Sequence, residues 1–121
     1  MYSEACLSGQ FDRSDAIAEH HLKAARGAWA VIMNTHYGWY VPGGLGGSYY
    51  WHREFYDAIF NEGILRVGEA HFDSKMDRYS TSGTGRWVFF SCSLFGDPET
   101  SIYLLQPPRD VPAIVLSLIH I

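Results

Sequence analysis

The order of local patterns predicts an α/β fold built on a mainly parallel sheet. A short apolar stretch that ends in a Ser/Gly turn at Cys6 is followed by an amphipathic helix and then a buried strand. Strand, helix, strand in that order implies a right-handed crossover between parallel neighbours. Composition agrees with a folded chain. At 121 residues, 47% hydrophobic and 18% charged, it has the length for one core and the balance of a globular domain. The 16% aromatic content points to a thick core or an aromatic-lined groove.

Several function classes are excluded at this level. A net charge of -4 with no Lys/Arg cluster argues against a nucleic-acid partner. No apolar run approaches the roughly 20 residues of a membrane span, and residues 1–3 have neither the basic nor the apolar region of a signal peptide. The two cysteines, Cys6 and Cys92, form no CxxC pair and no disulfide framework. Cys92 reads as a small buried apolar residue.

Taking the elements in order, Ser14 and Asp15 mark a helix start, with a hydroxyl at the N-cap and an acid in the first turn. Ala16, Ile17, Ala24 and Ala25 give that helix its apolar side, and Gly27 closes it. Residues 29–33 are short, apolar and rich in β-formers, so they read as a buried strand. The glycine-rich loop at 43–47 is expected to be mobile and on the substrate side. Ser48 is expected to cap a second helix whose apolar face is Trp51, Phe55, Ala58 and Ile59, ending at Gly63. A third helix is expected over 64–76, with a close packing contact at Gly68, since a mid-helix glycine costs about 1 kcal/mol relative to alanine. Residues 80–85 read as a polar linker and 86–95 as a further helix, because Trp87, Phe90 and Leu94 recur at helical spacing. A turn at Gly96-Asp97-Pro98 leads to a short strand at 101–105, and 106–121 reads as a tail without organisation.

Cysteine catalysis needs a thiolate, a base and oxyanion donors. Cys6 stands where a strand gives way to a turn before a helix, a place that bares the sulfur and offers backbone N–H groups. Of the six histidines, His20 and His21 fall on a helix surface, His120 in the tail, and His36 alone at the C-terminal edge of a strand, on the side of Cys6. That edge is where open α/β sheets bind ligands, so His36 is read as a groove-lining residue. No two histidines stand at i, i+4 on one helix, so no metal site is expected. The 43–47 loop lacks GxGxxG spacing and a lysine before Ser48, so a phosphate loop is disfavoured. Arg53-Glu54 reads as a surface or structural ion pair.

Four segments in order resemble the gingipain-type cysteine peptidases, family C25, of the caspase-like fold. They are Glu4-Ala5-Cys6-Leu7-Ser8-Gly9-Gln10-Phe11-Asp12, Asn34-Thr35-His36-Tyr37-Gly38-Trp39, the helical stretch from Ser48 through Arg53-Glu54-Phe55 to Gly68-Glu69-Ala70 and Ser74-Lys75, and Leu94-Phe95-Gly96-Asp97-Pro98-Glu99. The resemblance implies a three-layer α/β/α sandwich of which residues 1–105 are the C-terminal part, so the chain is expected to be an incomplete fragment. It implies a cysteine endopeptidase acting on protein or peptide substrates through a Cys6 acyl-enzyme, with Trp39 lining the primary specificity pocket. The family's catalytic histidine, in a His-Gly pair, precedes the cysteine and has no counterpart here. Members are commonly secreted or surface-attached and need no cofactor. Some bind structural calcium, but no calcium motif is matched in this sequence. The competing expectation is an inactive caspase-like scaffold that binds peptides without cutting them.

Overall fold

A computed structural model of the chain describes residues 1–43, 46–79 and 83–104. Seven elements follow one another: β1 (Tyr2–Ser3), α1 (Ile17–Lys23), β2 (Ala30–Asn34), α2 (Gly47–Phe60), α3 (Val67–Asp77), α4 (Gly83–Ser91) and β3 (Cys92–Gly96). The strands form one mixed sheet in the order β1-β2-β3.

β2 is the centre because every one of its residues is buried. Its side chains alternate between faces. Val31 and Met33 pack with Ala18 of α1, Leu22 and Phe95 on one side. Ala30 and Ile32 join Trp51, Phe55, Ala58 and Ile59 of α2, with Val67, Ala70 and Val88, on the other. The chain is therefore an α/β unit with helices on both faces of its sheet. Burial of Trp51, Phe55 and Ile59 is worth roughly 1.5–3 kcal/mol each, so α2 contributes most to the core. The apolar positions read from its sequence are the ones that face inward.

The expected parallel pairing is found between β1 and β2, with Tyr2 opposite Ile32 and Ser3 opposite Met33. β3 runs antiparallel to β2, with Ala30 opposite Gly96 and Asn34 opposite Cys92. The reason lies at the end of α4. The Thr35 amide and hydroxyl both donate to the Ser91 carbonyl, at 2.8 and 3.0 Å, so α4 delivers the chain to the C-terminal end of β2. From there it can only run back along that strand.

Other expectations are corrected. The single helix over 86–95 is two elements, α4 and β3, which meet between Ser91 and Cys92. Residues 83–85, read as linker, belong to α4; residues 80–82 lie outside the described ones. The first helix starts at Ile17 with Ala16 at the N-cap and no side-chain cap, while Asp15 pairs with His20 at 2.9 Å. Where a strand was expected from residue 101, a single bridge joins Ser101 to Arg66. The close contact at Gly68 is present: a Cβ there would meet the Pro98 Cβ at 2.5 Å. Residues 105–121, including the expected tail and His120, lie outside the described residues, as do Gly44 and Leu45 of the glycine loop.

Candidate active site

After β1 the chain enters a tight loop that is pinned to the C-terminal end of β2. The Asn34 side-chain amide donates to the Glu4 carbonyl at 3.0 Å. The Leu7 amide donates to the His36 carbonyl at 3.0 Å, and the Gly9 amide to the Asn34 carbonyl at 2.9 Å. Within the loop, the Ser8 hydroxyl donates to the Ala5 carbonyl at 3.0 Å. These bonds hold Leu7 at a φ of 59°, in the left-handed region. For a residue with a side chain that conformation costs roughly 1–2 kcal/mol. Cys6 stands directly before this strained residue, and its thiol is free and exposed.

Cys6 lines a cleft of about 120 Å³ with Glu4, Gly38, Trp39, Tyr40 and Ser48 among its walls. The Cys6 thiol is placed to donate to the Gly38 carbonyl at 3.6 Å. Gly38 has to be a glycine, because a Cβ would stand 2.6 Å from the Glu4 carbonyl oxygen and 2.9 Å from the Asn34 amide. That approach brings the strand-end segment over the cysteine loop and makes the cleft. Ser48 does not cap α2, which begins at Gly47 behind a Gly46 N-cap. Its hydroxyl accepts from the Trp39 amide at 3.0 Å and its amide donates to the Trp39 carbonyl at 3.3 Å. Ser48 thus fixes the backbone from which Trp39 projects.

Trp39 and Cys6, singled out in the sequence, share this cleft. The ring of His36 does not line it. That ring sits edge-on to Trp87 at 5.0 Å, in a neighbouring hollow lined by Thr35, Trp87, Phe90 and Ser91. Only the His36 backbone reaches the cysteine loop, through the Leu7 amide. The first turn of α1 meets the far end of the loop, where the Ala18 amide donates to the Ser8 carbonyl at 3.0 Å, and no residue of α1 lines the cleft.

Sequence reasoning passed over Glu4 and His52. Glu4 lies in the cleft wall, and its carboxylate bonds the His52 Nδ1 at 2.5 Å. The imidazole stacks on Tyr2 at 4.5 Å and touches Tyr56 at 4.9 Å. The signal was faint: an acid on the same extended segment as Cys6, paired with a residue far along the chain. Among the described residues no histidine ring lines the Cys6 cleft. Cys92 is buried beside the Tyr2 hydroxyl at 3.4 Å, and burial pushes its thiol pKa up, so it is the unreactive cysteine. The carboxylates of Glu62, Asp73 and Asp77 converge at the surface, with burial and then mutual repulsion raising the Glu62 and Asp73 pKa values, but none of them lines the cleft.

Against known proteins, the model of peptidase family C25 matches residues 1–103. No curated protein and no solved structure matches the chain.

Proposed function

The chain belongs to peptidase family C25, and from that premise we propose that it is the nucleophile-bearing part of a cysteine endopeptidase of caspase-like architecture. Cys6 is the nucleophile and Trp39 lines the pocket for the residue whose peptide bond is cut. The observation that carries this reading is the exposed thiol on a strained loop inside a cleft walled by Trp39.

The chemistry assigned to the cleft is acyl transfer. The thiol gives its proton to a base and the sulfur attacks the substrate carbonyl, forming a C–S bond and a tetrahedral oxyanion. Collapse of that oxyanion breaks the C–N bond, and the amine leaves with the proton returned by the base. Water then hydrolyses the thioester. The Leu7 amide already serves the His36 carbonyl, so the oxyanion donor from this loop is the Cys6 amide. The base in this scheme is a histidine outside the described residues, because no imidazole among them lines the cleft. No cofactor enters this scheme, and the resemblance to a family whose members are commonly secreted or surface-attached supports a site of action outside the cell.

That same lack of an imidazole favours one alternative, a non-catalytic peptide-binding scaffold. Treating the protein with a peptidyl chloromethyl ketone and, separately, with iodoacetamide distinguishes the two. A nucleophile in a substrate cleft reacts faster with the peptidyl reagent, at Cys6 and not at Cys92, and Cys6→Ala abolishes the adduct. Reaction no faster than that of a small free thiol removes the enzyme reading.

A further inference from the structure

The hollow beside the Cys6 cleft has no role in the scheme above. It measures about 150 Å³ and is lined by Thr35, His36, Trp87, Phe90 and Ser91. Its aromatic rings are exposed yet held. The Trp87 indole N–H donates to the Tyr37 carbonyl at 3.1 Å, and the His36 ring packs edge-on against the indole. Trp87 is 42% and Phe90 68% exposed. At the seam beneath, the Ser91 carbonyl accepts both Thr35 donors, while the Ser91 hydroxyl is buried without a hydrogen-bond partner among the described residues. What faces outward is an apolar wall with one rigid indole, the surface that takes up an aromatic or large aliphatic side chain.

Its position names the occupant. The segment 36–38 separates the two hollows: Gly38 receives the Cys6 thiol, and the His36 carbonyl binds the amide next to Cys6. His36 lines one hollow and Gly38 the other, and they are only two residues apart in the chain. A substrate with its scissile carbonyl at Cys6, advancing roughly 3.3 Å per residue when extended, therefore brings a side chain one or two positions away over Trp87.

We propose that His36, Trp87 and Phe90 form a second substrate subsite, selective for an aromatic or large aliphatic side chain within two residues on the N-terminal side of the scissile bond. The proposal rests on Cys6 being the nucleophile, and its test separates the two claims. Two series of peptidyl chloromethyl ketones are compared, identical except for phenylalanine or glycine at each neighbouring position, with iodoacetamide as the control lacking a peptide. The rate of Cys6 alkylation is followed by mass spectrometry. For at least one position the phenylalanine reagent reacts about tenfold faster than its glycine partner, the size expected for burying one aromatic ring. Trp87→Ala brings the ratio of the phenylalanine to the glycine rate down to about one, whatever it does to the two rates themselves. Trp87→Phe, which keeps a ring but loses the indole N–H, retains part of the advantage, and Phe90→Ser gives an independent surface change should Trp87→Ala fail to fold. Equal rates for phenylalanine and glycine at every position, or an advantage that survives both Trp87→Ala and Phe90→Ser, overturn the subsite. Peptidyl reagents no faster than iodoacetamide at a free thiol overturn instead the assignment of Cys6.

Discussion

Leu7 is the residue on which the geometry of Cys6 turns. Its φ of 59° is tolerable for asparagine and poor for a β-branched residue. Leu7→Val is expected to lower stability by about 1–2 kcal/mol and to slow alkylation of Cys6, whereas Leu7→Asn keeps the turn. Thermal unfolding and iodoacetamide kinetics on the two variants check this; equal behaviour would remove the role given to strain. A second residue sets acid sensitivity. Burial, and then the charge of Lys75, holds the His71 pKa down to about 4 from 6.5. The unfolded chain takes up a proton near pH 6.5 and the folded chain only near 4, so the stability from neutral burial is complete above 6.5 and lost as pH falls between them. That amounts to roughly 3 kcal/mol. Urea midpoints measured from pH 7 to pH 4 should fall more steeply for the native chain than for His71→Leu. Cys6 and Trp39 were legible because each lies in a short local motif. Glu4 with His52, and His36 with Trp87, were not, because each pair is made by packing between distant segments.

At the scale of elements, α2 was readable since its face follows the helical period without interruption, while the α4–β3 boundary was not. Trp87, Phe90 and Leu94 continue a helical spacing across a junction that is decided by pairing with β2. Ser48 was misread for a related reason. A serine before an apolar run looks like a cap, but its hydroxyl is occupied by the Trp39 amide. Gly68 gives the sharpest test of packing between elements. Its amide donates to the Pro98 carbonyl at 2.9 Å, and an added Cβ would stand 2.5 Å from the Pro98 Cβ. Alanine raises helix propensity by up to about 1 kcal/mol but forces the 97–100 turn away from α3, an overpacking cost of about 1–3 kcal/mol. Overpacking wins. Gly68→Ala should lower the unfolding free energy by about 1 kcal/mol, and an increase in the urea midpoint would show that the turn yields freely.

The whole molecule has a well-built centre and open flanks. β2 is fully buried, whereas among the described residues β1 and β3 pair on one side only. Beside β1 lies an apolar hollow of about 170 Å³ whose lining includes Met1, Trp29, Tyr56 and Phe60. Met1, Trp29 and Phe60 are each more than half exposed, at 59%, 54% and 63%. An unpaired edge next to exposed aromatics invites association. The purified 121-residue chain should therefore scatter light at micromolar concentration, and Trp29→Ser with Phe60→Ser should reduce that scattering without changing Cys6 alkylation. The two sites share no lining residue, which is why the effects should separate. By the same reasoning the 121-residue chain by itself should hydrolyse no peptide, since no imidazole lines the Cys6 cleft among its described residues. The electrophile supplies its own leaving group and needs no proton donor for it, so labelling of Cys6 can persist where turnover fails. Turnover by the purified chain that disappears in Cys6→Ala would mean that a base lies within it. Glu4–His52 would then be the pair to test first, because Glu4 reaches from the His52 ring into the wall of the cleft.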